Sequence, residues 1–546
     1  MAVVLPVAAG LLGVLAPAFG LMPALGADRP GLHVFAALIA RPGIVDSAAI
    51  SAWTALAATL VSVAMVAVVL AAAYGTRALG LAERLLAPLL AVPHAAAALG
   101  FVALFAPSGL LLRLLSPWAT GYDAPPDVAL VRDPAGIALV TALVLKEVPF
   151  LFLMALAALG QTRARERVHL ARSLGYGPMA AFLHGVWPLI YRQLRLPILA
   201  VIAFAASVVD VALIVGPTRP PPLAVRIVDE LGAADLAQWL VGSAGALLLL
   251  ALSVGLVLAW LAIERLAAGA ARAVRDRGRR LSGDGPLRAA AMSLAALLAA
   301  IMAAALAALL VRSVAGYWPF PDVVPRTVSA VAWRERLPDT ASTLVTTLVV
   351  ALGATLVALP AAVALLAAGV RAGPAIYLPL VVPQAAFLFG LSVLVVAAGI
   401  VPGTVIVTLV HALFVLPYAT IALSGPWHAL DPRAELVAAS LGAGTWRRLV
   451  VVRLAILAGP LCVAAALSVA VSVGLYLPTQ LVGAGRVATV TTEAVSAATG
   501  GDRRLVAMLA LVQLAIPCAA FALARAVPAV LFRHRRAMRP AAVAAG

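Results

Sequence analysis

Two stretches decide how this chain is read. The first is His169-Leu170-Ala171-Arg172-Ser173-Leu174-Gly175, followed by Phe182 and Trp187-Pro188-Leu189. The second is Leu436-Val437-Ala438-Ala439-Ser440-Leu441-Gly442, preceded by Asp431-Pro432 and followed by Trp446-Arg447-Arg448. Each reads as a short helix ended by glycine, the residue that lets a chain turn sharply at a helix end. A second short basic amphipathic helix follows in each case. One such loop alone reads equally well as an interfacial helix lying on anionic lipid. The same construction twice favours a pair of rigid pegs on the membrane face, built for a soluble partner.

Outward from these loops the chain is apolar. Of its 546 residues, 64% are hydrophobic and only 11% are charged, with mean hydropathy +1.09. A soluble domain carries about a quarter charged residues, and disorder needs low hydrophobicity, so both classes are excluded. Apolar runs at 4–25, 51–73, 86–106, 137–159, 196–217, 239–262, 289–311, 342–369, 376–398, 403–425, 456–476 and 505–528 read as membrane spans. About 20 apolar residues cross the hydrocarbon layer, and only a helix pairs its own backbone there. The expected fold class is an all-α polytopic membrane protein. Ala24-Leu25-Gly26-Ala27 resembles a cleavage site, but no basic residue precedes Arg29, so residues 4–25 read as the first span.

The net charge of +17 comes from 39 Lys+Arg against 22 Asp+Glu, and every basic residue except Lys146 is arginine. In a soluble protein this would suggest nucleic acid. Here the arginines sit in loops, where the positive-inside rule accounts for them. Loops 160–195, 264–288, 426–453 and 533–546 hold roughly two dozen, and the alternate loops about half that. The richer set, and with it both termini, is expected on the cytoplasmic side. The most basic loop runs from Glu264 to Arg288 and reads as a linker. The chain then divides into a first half 1–263, the linker 264–288, a second half 289–532 and a basic tail 533–546. Cys462 and Cys518 fall in apolar stretches, and the seven histidines form no ligand-spaced cluster, so neither a disulfide nor a metal is expected.

The halves repeat each other. Ala58-Thr59-Leu60-Val61 recurs as Ala354-Thr355-Leu356-Val357, and Val92-Pro93 with Gly100 as Val382-Pro383 with Gly390. Gly136 with Thr141 recurs as Gly403 with Thr408, and Leu174-Gly175 as Leu441-Gly442. The offset falls from 296 to 290 to 267, mostly through one insertion at 107–135. Six spans per half is an even number, so both halves enter the membrane the same way. The repeats are parallel, related by an axis along the membrane normal.

With the loops and the repeat in hand, the chain resembles fused permease subunits of bacterial type I ATP-binding-cassette importers. Their cytoplasmic loop carries Glu-Ala-Ala, three residues, Gly, then nine residues and Ile-x-Leu-Pro. Gly175 and Gly442 match its glycine, Ala171 and Ala438 its second alanine, and Pro188 its proline. His169 and Leu436 stand where the glutamate belongs, and Ala455 where the second proline belongs. The resemblance covers nearly the whole chain and is greatest to thiamine-type and ferric-iron-type permeases. The outer segment Tyr476-Leu477-Pro478-Thr479 with Thr491-Thr492-Glu493 leans toward the thiamine type. The resemblance implies two partners, a cytoplasmic ATPase dimer that receives both loops and a solute-binding protein that delivers cargo on the outer face. Arg172, Arg447 and Arg448, in loops that also hold Asp431, are expected to offset the missing glutamates through charge pairs on the ATPase. No GxxxxGK[ST] occurs, so ATP binds the partner subunits and this chain holds no cofactor of its own.

Ionisable residues inside spans are functional candidates by default. Lys146 and Glu147 are adjacent in the fourth span and point about 100° apart. Asp210 follows Ser207 by three residues in the fifth, which places both on one face of a continuous helix. Ser472 takes the place of Ser207 in the second half, and Leu475 that of Asp210. Ser207, Asp210, Ser472 and Glu147 are the candidate path residues; a buried interhelical hydrogen bond is the competing role. His94 and His411 read as packing or hydrogen-bonding residues, and Pro93, Pro383 and Pro417 as helix kinks. A twelve-helix ion-coupled transporter is the alternative function, with only Lys146, Glu147 and Asp210 to couple an ion. An intramembrane enzyme is disfavoured by the lack of HExxH, GxSxG or paired aspartates.

Overall fold

Helices account for nearly every element of the computed structural model, which describes residues 3–233, 235–278, 280, 283–369 and 374–533. The basic tail expected at 533–546 lies outside the described residues beyond Arg533. Among the described residues nine helices are long and apolar enough to cross a membrane, and two sharply bent pairs raise this to eleven. The all-α polytopic class is what the apolar runs dictate, but several spans are not simple rods.

The first run, 4–25, is helical only over Val4–Ala18, 15 residues, or about 22 Å at 1.5 Å per residue. Gly20, with φ +82°, and Pro23 stop it, and a two-residue strand pair, Leu21–Met22 with Ala27–Asp28, folds the chain back. The runs 86–106 and 376–398 are both broken. Helix Ala78–Leu90 ends before Val92-Pro93, and His94–Phe105 starts afresh with Pro93 as its N-cap. In the second half the pieces Ala375–Val381 and Gln384–Ala397 meet at 98° across Val382-Pro383. A residue before proline avoids the helical region, so these prolines break helices rather than kink them. Pro417 instead sits inside the uninterrupted helix Thr404–His428. The run 456–476 is also bent, by 78° at Leu457. The segment read as a linker begins as helix, because Gln238–Asp276 runs unbroken through its first half.

The repeat is visible in individual bonds. The Leu223 backbone N–H donates to Ser51 Oγ at 2.8 Å, and the Val490 N–H donates to Thr347 Oγ1 at 2.9 Å. Acceptors are 296 residues apart and donors 267, the first and last offsets of the sequence repeat. In each case a span's hydroxyl satisfies the first orphan donor of a short helix, Leu223–Gly232 or Val490–Gly500.

Each half lends its first helix to the other. Val4–Ala18 packs along Gln384–Ala397, and Gly285–Val314 along His94–Phe105. The first crossing is backbone on backbone: a Cβ on Gly390 would lie 1.8 Å from the Gly10 carbonyl oxygen, and one on Gly13 would lie 2.4 Å from the Gly390 oxygen. Small residues allow this approach, which substitutes dispersion and weak Cα–H···O contacts for a hydrophobic drive that lipid cannot supply. In the equivalent second crossing Gly100 faces Ala305, where a Cβ would meet atoms at 3.2 Å.

Candidate functional site: twin loops and a polar seam between the halves

Both glycine loops form the same helix-ending turn. Helix Ala164–Ser173 ends with Gly175 at φ +89°, and Arg433–Ser440 with Gly442 at φ +81°. The Gly175 N–H donates to Arg172 O, and the Tyr176 N–H reaches back to Ala171 O. The Gly442 N–H donates to Ala439 O, and the Ala443 N–H reaches back to Ala438 O. This is the Schellman arrangement. It explains the recurring glycine, which takes the left-handed conformation, while the backbone carbonyl of Ala171 or Ala438 receives the last donor. Beside each turn stands an exposed apolar pair, Leu170 and Leu174 in the first loop, Val437 and Leu441 in the second. Leu436 and Trp446 extend that surface in the second loop, at 63% and 75% exposure. His169, Arg172, Asp431 and Arg447 are exposed near the turns in the chain, Pro188 is exposed at the start of helix Trp187–Ser207, and Arg448 is half-buried. Asp431 Oδ1 accepts the Arg433 N–H at 2.9 Å and so starts the second loop's helix.

The two loops are anchored differently. In the first, helix Pro178–Gly185 is not the basic amphipathic helix expected. Its residues 179–182 are buried, and Phe182 packs against Tyr74 with ring centroids 5.0 Å apart. The arginines lie instead on Ala164–Ser173. The chain between the halves then crosses this loop. A Cβ on Gly175 would meet Arg280 Cδ at 3.1 Å, Asp284 Oδ2 accepts the Met179 N–H at 2.7 Å, and Arg288 Nε donates to Ala72 O at 2.7 Å. Burial, and after it Arg275, hold the His184 imidazole below its ordinary pKa, so it is neutral at pH 7. In the second loop no described residue lies within 4 Å of a Cβ on Gly442. There Arg453 pairs with Glu435 and stacks 4.6 Å over Trp427. Asp284→Ala should therefore loosen only the first loop. Loss of a capping acceptor costs about 1 kcal/mol, so amide exchange over 178–185 should rise roughly fivefold, with 433–447 unchanged.

The candidate path residues do not lie as a continuous fifth helix would place them. Trp187–Ser207 ends at Ser207, Val208 and Val209 break it, and Asp210 opens a new helix, Asp210–Val215. Ser207 and Asp210 thus do not share a helical face, and Ser207 Oγ is satisfied by Ala203 O at 2.8 Å. The second half breaks at the matching place, after Gly474, and resumes at Leu477–Gly483. The counterpart of Asp210 is therefore Leu477 rather than Leu475, and that of Ser207 is Gly474 rather than Ser472. Ser472 instead bonds His411 Nδ1 at 2.8 Å, while His411 Nε2 meets Thr479 Oγ1 at 2.9 Å. His411 is a fully buried packing link. Lys146 donates its ammonium to the carbonyls of Leu89 and Val92. Glu147 lies 3.7 Å from His94 Nε2, a pairing the sequence reading of His94 missed.

Toward the opposite end, a cavity of about 570 Å³ opens between the start of helix Ile44–Ala73 and the 219–230 segment. Asp46, Asp229, Glu230, Arg219 and Arg226 line it, and Arg41 pairs with Glu230 at its rim. Burial pushes the Asp229 and Glu230 carboxyls above the usual range, with Arg226 and Arg41 opposing. At the same end one loop from each half interlocks with the other. Arg113, only 4% exposed, donates to Ser108, Pro319, Asp322 and Trp318 carbonyls and lies 4.4 Å over the Trp318 ring.

A duplicated helical bundle, broken at matching places along its seam and carrying twin turn-ended loops at one end, is a polytopic membrane protein of the permease type. The chain is 30% identical over 440 residues to the inner membrane ABC transporter permease protein YnjC of Escherichia coli strain K12, an alignment spanning 80% of this chain and 78% of that one. The chain belongs to the ABC transporter permease family. No protein-family model matches it, and no solved structure does.

Proposed function

We propose that this chain is the fused two-half permease of a type I ATP-driven importer, seated in a bacterial inner membrane. Residues 1–263 and 289–532 are its halves, 264–288 joins them on the cytoplasmic side, and 533–546 is a cytoplasmic tail. The observation that carries the reading is the pair of Schellman-ended loops 267 residues apart, with exposed apolar pairs at equivalent positions. These loops dock on a separate ATPase dimer. Arg172, Arg447 and Arg448 supply charge pairs where the family's glutamates are absent. A solute-binding protein delivers cargo at the outer end, into the cavity beside Asp229. Thiamine or a related organic cation is the first choice of cargo, and ferric iron the second.

The test is reconstitution with the ATPase and binding protein that this reading expects beside its gene. The expected result is co-purification with the ATPase and uptake that needs ATP on the loop side. Uptake by the chain alone, driven by an ion gradient, would instead support the twelve-helix ion-coupled transporter.

A further inference from the structure

Three spans drawn from both halves end together beside the interlocked loops. Helix His94–Phe105 ends just before Ser108, Arg312 lies in the last turn of Gly285–Val314, and Arg503 opens Arg503–Leu531. These three helices pack on one another. Arginines converge here on a single residue. Arg113 Nε and Arg312 Nη2 both donate to Ser108 O, at 3.1 and 3.2 Å, and Arg503 Nη1 donates to Ser108 Oγ. Arg113 and Arg312 also share the Trp318 ring, 4.4 and 5.4 Å from its centroid. Arg504 Nη2 donates at 2.8 Å to the carbonyl of Gly316, in the same loop as Trp318.

This knot lacks a counter-charge. None of Arg113, Arg312, Arg503 and Arg504 pairs with a carboxylate among the described residues. The two aspartates on its own segments are taken: Asp322 pairs with Arg326, and Asp502 accepts the Arg504 and Leu505 N–H groups. Even with both counted, five arginines against two aspartates leave +3. Backbone carbonyls satisfy Arg113, which makes four such bonds, whereas Arg312 and Arg503 each use one of their five donors. Arg312 is half-buried at a span end, where solvent screens like charges poorly. Snorkelling alone would spread arginines into water rather than gather them on one serine. Phosphate oxygens accept from several guanidinium groups at once through charge-assisted bonds. Lipid phosphates lie where spans end, and exposed Trp118 and Tyr317 stand in the same two loops, as aromatic residues do at headgroup level.

We infer that Arg312 and Arg503, gathered on Ser108 beside the Trp318 ring, bind the phosphate of an anionic phospholipid at the end of the bundle opposite the glycine loops. The site joins both halves to one lipid. It needs only a chain in a membrane and does not rest on the importer reading. The full chain is placed in nanodiscs with a trace of phosphatidylglycerol or phosphatidylcholine carrying a diazirine beside the glycerol, and cross-linked peptides are mapped. Phosphatidylglycerol should label 107–120 or 312–326 at least about fivefold more than phosphatidylcholine. Unlabelled phosphatidylglycerol should compete, and excess inorganic phosphate should not. Arg312→Gln and Arg503→Gln should each lower this labelling about fivefold, with labelling at the basic linker 264–288 unchanged. Arg29→Gln, at an exposed arginine elsewhere, should alter neither. Indifference to both glutamine changes overturns the site. So does displacement by inorganic phosphate, which would make the ligand a soluble anion. Equal labelling by the two lipids also overturns it and assigns the free charge to a partner protein's carboxylates. The lipid comparison uses the unaltered chain and decides the matter even if a variant fails to fold.

Discussion

Gly442→Trp is expected to abolish ATP-driven uptake while leaving the chain folded and in the membrane. Gly442 sits at φ +81° with no described residue within 4 Å of where a Cβ would lie. A side chain there disturbs no packing. It does force a left-handed conformation that costs an L-residue about 1–2 kcal/mol, and it places an indole beside Leu441 on the exposed surface. The turn that aims helix Arg433–Ser440 is lost or the docking face is blocked. Uptake should fall at least tenfold, with reconstituted amounts and melting temperature unchanged within a few degrees. Gly175→Trp should have the same effect on uptake, but it must also displace Arg280, so the first loop should show added protease sensitivity near 278–285. Normal uptake in both variants would remove these loops as couplers.

The largest effect on stability is expected at the swapped first helix. Gly390→Leu should prevent the halves from assembling, because the new Cβ would lie 1.8 Å from the Gly10 carbonyl oxygen. Backbone cannot step aside as a side chain can. The helices would have to separate by about 1.4 Å before reaching van der Waals contact, which forfeits much of the dispersion energy along the whole crossing. Even Gly390→Ala should lower the melting temperature strongly. Gly100→Ala, its repeat partner, should be mild, because its Cβ meets Ala305 at 3.2 Å and needs only a few tenths of an ångström. Equal thermal shifts for the two alanine variants, read in detergent by scanning fluorimetry, would contradict the crossing described here.

Much of the architecture was legible in the sequence. Spans follow from hydropathy because lipid leaves the backbone no other solution. The repeat, its shifting offset and the loop glycines were readable because a helix-ending glycine has a local cause. What was not legible depends on the partner across the fold. Gly10 and Gly13 carry no signal until Gly390 is placed against them. The break at Val208-Val209 has no proline to announce it, so Ser207 and Asp210 read as one helical face and the repeat partner of Asp210 was set two residues early. The prolines at 93 and 383 were recognised as bends, but not as full breaks. His94 read as packing because Glu147 lies 53 residues away in the chain. The crossing of the first loop by Arg280 and Asp284 is likewise tertiary: a basic linker reads as solvated charge until Met179 is seen to need an acceptor.

The most direct measurement of the central claim is site-specific labelling of the two turns. With Cys462 and Cys518 replaced by alanine, single cysteines are placed at Ser173 and Ser440, both exposed on the last turn of their loop helices. The account predicts that a membrane-impermeant maleimide reaches both only from the cytoplasmic side. It also predicts that both cross-link to the partner ATPase and that ATP shifts the yield at each. Labelling of either position from outside intact cells, or absence of a cross-link at both, would contradict it.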